Sequence, residues 1–223
     1  AYGGCETGGI KLHGAVDVLI ANNHVYRCEH WGGIWLDWMA QGARVTGNLL
    51  HDNSQDLMFE VNHGPYLVDH NFLLSAGGVT EASGGGAFVH NLWAGAISIW
   101  TPMAERITPF FKPHSIEIIG SANVAQDDDR FYNNLFVGQL NPVNSTYANS
   151  VCVIRADISN YQNDFTHNTF AVILPSGGCC IATGGYVSGG QSIQNYIYGN
   201  IFYTLGGTAI CVTSGTTAAP FLS

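Results

Sequence analysis

The chain has 223 residues, 46% of them hydrophobic and only 10% charged, with 28 glycines and a formal net charge of −9. That composition gives one sizeable core, excludes a disordered tail, and favours an all-β chain with many turns over a helical bundle. Seven basic residues without a basic cluster exclude nucleic acid as a partner, and no 18-residue apolar run marks a membrane span.

In chain order, the sequence opens on Ala1 within an already patterned region, so a leader or a whole N-terminal portion is expected to precede it in a longer protein. Seven segments then share one signature, an apolar strand that ends at an asparagine followed by another apolar residue. They end at Asn23, Asn48, Asn71, Asn91, Asn134, Asn168 and Asn200, at intervals of 25, 23, 20, 43, 34 and 32 residues. The short intervals suit one solenoid coil each, and the longer ones imply insertions. Asparagine tolerates a left-handed turn, and its amide can bond to the identical amide one coil above. The expected fold is therefore a right-handed parallel β-helix over residues 1–223.

Two departures from the repeat are expected. A loop insertion occupies about 101–130, with Pro102, Pro109 and Pro113, and a polar insertion lies around 138–150. The glycine- and serine-rich segment 176–192 reads as a loop. His70, His90 and His167, each just before a repeat asparagine, read as corner residues and not as metal ligands. The six cysteines (Cys5, Cys28, Cys152, Cys179, Cys180 and Cys211) lack zinc or redox spacing and read as buried thiols, which favours a cytoplasmic location. A secreted, disulfide-bearing protein stays open, and Asn144-Ser145-Thr146 is a formal glycosylation sequon.

Counting back ten or eleven residues from the asparagines aligns His13, Asp37, Glu60 and, less securely, Glu81. Ile10 and Leu12, Ile34 and Leu36, and Leu57 and Phe59 then face inward. Lys11, Trp35 and Met58 face outward with His13, Asp37 and Glu60. Stacked acids on adjacent parallel strands would sit roughly 5–6 Å apart, the separation of a retaining glycosidase, and one carboxyl should then titrate high. Trp31, Trp35, Trp38 and Trp100 gather around the pair, and exposed indoles suit a sugar ring. His13 and His63 are further candidate contacts. Arg106, His114 and Asp128 of the insertion are expected to wall the pocket. Asp127-Asp128-Asp129 reads as a solvated loop in preference to a calcium site, and no cofactor or metal is expected.

The run Gly32-Gly33-Ile34-Trp35-Leu36-Asp37-Trp38, with Leu57-Met58-Phe59-Glu60-Val61-Asn62-His63-Gly64-Pro65-Tyr66, resembles glycoside hydrolase family 120. The similarity extends through Phe88-Val89-His90-Asn91 and from Thr108-Pro109 to Asn134, at least the first two-thirds of the chain. The resemblance implies a retaining β-xylosidase on a right-handed parallel β-helix, of which residues 1–223 are a partial catalytic domain, with Asp37 as nucleophile and Glu60 as acid/base. It also implies an assisting acid upstream of the nucleophile, for which Glu6 is the candidate. The implied substrate is a xylo-oligosaccharide, cut from its non-reducing end, and a homo-oligomer is open. Two other classes remain at this point. A polysaccharide lyase or epimerase would want a basic residue beside an acidic sugar, and a non-catalytic carbohydrate-binding or adhesin solenoid would have no need for the stacked acids.

Overall fold

The computed structural model describes residues 6–99, 106–124, 126–139, 152–156, 162–174, 176–183 and 195–212. Three long sheets, every pairing within them parallel, wrap one core as a right-handed parallel β-helix. The first sheet has eight strands, stacked in the order Ile10–His13, Ile34–Asp37, Leu57–Glu60, Val79–Ala82, Ile97–Ile99, Cys152–Ala156, Cys179–Thr183 and Thr208–Val212. The second has seven: Leu19–Ala21, Ala43–Thr46, Tyr66–Asp69, Gly86–Val89, Arg130–Tyr132, Asp164–Thr166 and Tyr196–Tyr198. The third runs from His24–Tyr26 at one edge, next to Leu49–His51, to Ile201–Leu205 at the other.

The asparagine ladder is present at all seven positions. The Nδ2 of each of Asn23, Asn48, Asn71, Asn91, Asn134 and Asn168 donates to the Oδ1 of the next, at 2.9–3.1 Å. Asn71 shows why no other side chain serves. Its Oδ1 accepts from the backbone N–H and the amide of Asn48, while its Nδ2 donates to Asn91 and to the Val45 carbonyl. All four amide valences are filled inside the core, which aspartate lacks the donors to do. The left-handed residue is not the asparagine itself but the one before it: Asn22, Gly47, His70, His90, Asn133, His167 and Gly199 all have φ between 50° and 65°. The corner histidines thus face outward, as His70 and His90 do against each other with ring centroids 5.3 Å apart.

Aromatic rings repeat the ladder inside. Phe88, Phe131 and Phe165 stack at 4.6 and 5.0 Å, and Phe136, Phe170 and Phe202 at 4.6 and 4.9 Å. Each buried ring contributes roughly 1.5–3 kcal/mol of hydrophobic stabilisation.

Three expectations change. The insertion is a two-stranded antiparallel hairpin, Arg106–Phe111 against Ile118–Val124, and Pro109 is accommodated because the hairpin has only one partner strand to satisfy. The segment expected as a loop at 176–192 contains the strand Cys179–Thr183, in which Cys179, Cys180, Ile181 and Ala182 are buried despite the flanking glycines. Residues 184–194, like most of the insertion around 138–150, lie outside the described residues. Glu81, placed in the outward acid row by counting, pairs in register with Phe59 and points inward; Ala82 stands opposite Glu60. The cause is corner length, since Glu60 to Tyr66 takes six steps and Ala82 to Gly86, its register partner, takes four. Glycine makes the short corner possible. Gly85 has φ +76°, and a Cβ on Gly86 would lie 2.5 Å from the Tyr66 ring.

Candidate active site

The row His13, Asp37, Glu60, Ala82 closes the C-terminal ends of the first sheet, and Asp37 and Glu60 are direct register partners. Parallel neighbours stand about 4.8 Å apart between strands, which sets the two carboxyl groups side by side. A left-handed turn follows each acid: Trp38 and Met39 have φ 40° and 71°, and Val61 has φ 58°. For a β-branched residue that conformation costs on the order of 1–3 kcal/mol. Val61 is held there by burial against Val124 of the hairpin.

Asp37 is 2% exposed. Its Oδ2 takes both the Lys11 ammonium at 2.9 Å and His13 Nε2 at 3.0 Å, while its Oδ1 has no hydrogen-bond partner. Lys11 also pairs with Glu6 and lies 3.3 Å from the centroid of the Trp35 ring. Its ammonium is held above its ordinary range, against the effect of burial, by Glu6 and Asp37. Glu6, His13 and Asp37 could bring ligand atoms within 4.8 Å of one another around a metal ion, but Lys11 already supplies the cation between the two carboxylates. Glu60 is 8% exposed, and burial first, then the charge of Asp37, raise its carboxyl above the usual range. Arg106 opposes that rise, and its guanidinium carbon sits 5.2 Å from the Trp38 ring centroid.

The structure therefore brings Glu6, His13 and Arg106 to the acid pair. Trp35 is there too, but buried beneath Lys11, so its face is not open to a sugar; among the described residues Trp31 and Trp38 are the exposed indoles. His63 acts on the hairpin. Its Nε2 bonds Thr108 Oγ1 at 2.6 Å, its ring meets Phe110 edge-on, and burial lowers its pKa. Gln41 completes the clamp, accepting from the Phe111 N–H and donating to its carbonyl. The hairpin thus leans back across the corners of the first three coils, ending with His114 on Asp17 at 3.0 Å. His114 and Asp128 lie elsewhere. Both line a cavity of about 510 Å³ over the second sheet, with Arg44, Leu67, Ala87 and Arg130, and Asp128 pairs with Arg130 at 2.8 Å. Trp100 lies outside the described residues.

Two features escaped the reading of the sequence. Lys11 was legible as the one basic residue in the stack, but the outward parity of a strand says nothing about which neighbour covers it. The second is a buried acid pair. Asp129 is fully enclosed and is not part of a solvated loop, since it accepts from the Gly86 N–H at 2.8 Å and from Gln126 Nε2 at 2.5 Å. Glu81 faces it, accepting from the Ser83 N–H at 2.7 Å, and Tyr66 touches both carboxyls. Burial drives both acids well above their ordinary range.

No protein-family model and no curated protein matches the chain. Among solved structures it is similar to XylC in complex with xylose, at 32% identity and a TM-score of 0.62, over 89% of this chain and 31% of that one. It is also similar to DFA-IIIase from Arthrobacter chlorophenolicus A6. Without the lid the values are 16% identity, TM-score 0.62, and coverage of 93% of this chain and 48% of that one; the other structure of that enzyme gives 16%, 0.59, 93% and 44%. The second likeness shows the fold alone. The first bears out the resemblance to glycoside hydrolase family 120. The chain spans about a third of the XylC chain's length.

Proposed function

We propose that this chain carries the catalytic corner of a retaining, exo-acting β-xylosidase. The observation that carries the proposal is the register pairing of Asp37 with Glu60, two acids on one outward row with unequal surroundings. Carboxyl groups of retaining glycosidases lie about 5–5.5 Å apart, against about 6.5–9.5 Å in inverting ones, and neighbouring parallel strands fit the former.

Lys11 and His13 position Asp37 through its Oδ2, and the Asp37 carboxylate attacks the anomeric carbon. Glu60, whose carboxyl burial and its neighbour's charge push towards the protonated form, donates to the departing glycosidic oxygen. That transfer leaves Glu60 as the carboxylate that deprotonates water, which then releases the sugar from Asp37. The sugar reaches Asp37 from the side of Glu6 and His13, both exposed, in exchange for their contacts with Lys11 and Asp37. Trp31 and Trp38 offer the apolar faces, and Arg106 with the hairpin forms the wall that admits a chain end.

The deciding experiment is a nitrophenyl-glycoside panel followed by NMR of the first-formed sugar. Fastest turnover of β-xyloside with release of the β-anomer is expected. Release of the α-anomer would rule out the double displacement, and a preference for another glycoside would rule out the xyloside assignment.

A further inference from the structure

On a different wall of the solenoid, at the edge of the third sheet, two imidazoles meet. His24 lies on the edge strand His24–Tyr26, and His51 on its neighbour Leu49–His51, with Tyr26 and His51 in register. The two Nε2 atoms are 2.7 Å apart. Tyr26 packs on both rings, at centroid distances of 4.8 and 5.4 Å, which holds their planes. His51 Nδ1 contacts Asp52 Oδ2 at 2.8 Å, and Asp52 has φ 55°, a left-handed corner that turns its carboxylate back onto the preceding ring. A carboxylate facing Nδ1 accepts a hydrogen bond from it and so keeps the ring proton there, which leaves His51 Nε2 with a lone pair on the side of His24. The Nε2 atoms are within hydrogen-bonding distance; with the single ring proton of His24 on Nδ1 instead of Nε2, both Nε2 atoms offer a lone pair to an ion seated beside the line between them, with no net proton change.

We propose that His24 and His51 form a binding site for a divalent transition-metal ion, oriented by Asp52 from behind, and that copper(II) is the ion it fits best. Metal–nitrogen bonds of about 2.0 Å place two tetrahedral donors roughly 3.3 Å apart and two cis square-planar donors roughly 2.8 Å apart, so the observed spacing is nearer the planar geometry of copper. Water would complete the coordination. The site joins the edge strand to the second coil, so an ion there staples the outermost turn of the third sheet to its neighbour. It shares no residue with the Glu6, His13 and Asp37 group and does not depend on the glycosidase reading.

The test is titration of the protein with copper(II) alone, and in parallel with zinc(II) alone, read by calorimetry, by the nitrogen hyperfine pattern of bound copper, and by thermal unfolding. One equivalent is expected, with a two-nitrogen signature, tighter for copper than for zinc, and a copper-dependent rise in Tm. His24→Gln and His51→Gln, both at accessible positions, should each weaken that equivalent at least tenfold and abolish the rise. Asp52→Asn should keep two nitrogens and weaken affinity about 10- to 100-fold. Copper binding and Tm unchanged in His24→Gln and His51→Gln, or lost instead in His13→Gln, would overturn the site. Zinc bound more tightly than copper would overturn the choice of ion.

Discussion

Two pairs of acids sit one coil apart in this solenoid, and each contains a carboxyl raised by burial. Asp37 and Glu60 point outward at the end of the first sheet, while Glu81 and Asp129 point inward, fully enclosed. The difference comes from strand parity and from two residues missing in one corner. Outward, the pair has a lysine, a histidine and an arginine within electrostatic reach, and these are spread unequally: Lys11 and His13 contact Asp37, while Glu60 is raised by burial and its neighbour against the pull of Arg106. Inward, the partners are a tyrosine, a glutamine and backbone N–H groups, and among the described residues neither acid has a cation. Paired carboxyls therefore become chemistry only where a compensating charge makes the two unequal and solvent can reach one of them.

The largest expected effect breaks the outward pair. Asp37→Asn removes the attacking oxygen and should cost on the order of 10⁴-fold or more in kcat for xylosides, as loss of a nucleophile does elsewhere. Steady-state turnover on nitrophenyl β-xyloside measures it, and near-normal activity would dismiss Asp37 as the nucleophile. Glu60→Gln should cost less, about 10²–10⁴-fold, because general acid help is one part of the barrier. That loss should shrink as the leaving group becomes more acidic, being smallest for dinitrophenyl xyloside and largest for xylobiose. An equal loss across the series would mean that Glu60 does not protonate the leaving oxygen.

Sequence and structure agree wherever a side chain's role follows from its position in one coil. The asparagines were legible because each coil needs an amide that donates and accepts at the same bend, and the Asp37–Glu60 register followed from the inward pairs Ile34, Leu36 and Leu57, Phe59. What stayed hidden depended on another coil. Trp35 has the parity of a surface residue, yet Lys11 from the preceding coil covers it. Glu81 was assigned to the wrong face because the count assumed a corner of constant length. Asp129 looked solvated within an acidic run, although the backbone of Gly86 and the side chain of Gln126 enclose it. The hairpin read as a loop because its prolines mask a strand that needs only one partner.

A smaller effect tests the inward pair through stability. An acid whose folded pKa is raised favours the fold fully below its ordinary pKa. That contribution is lost as pH rises towards the folded value, because the native state then holds a proton the unfolded chain gives up. Glu81 and Asp129 should therefore make the protein less stable as pH climbs from about 4 through neutrality. Glu81→Gln keeps the shape and an acceptor for the Ser83 N–H but cannot ionise, so it should flatten this slope. At pH 7–8 it should be more stable than the parent by about 1–2 kcal/mol, with little difference at pH 4. Denaturant melts across that range measure it; an unchanged slope would mean that Glu81 does not titrate with folding.

The smallest effect is the sharpest, because it should touch one pair and not the other. Arg106 lowers the pKa of Glu60, against burial and the charge of Asp37, and does not contribute at Glu81 or Asp129. Arg106→Gln should raise the Glu60 pKa further. A general acid works only while protonated, so the alkaline limb of kcat/KM must move to higher pH, whereas loss of a purely structural contact would scale the profile without moving it. The pH dependence of stability set by the inward pair should stay where it was. A limb that moves down, or stays fixed, would mean that Arg106 does not act on Glu60 through its charge, leaving its stacking on Trp38 as its contribution at this corner.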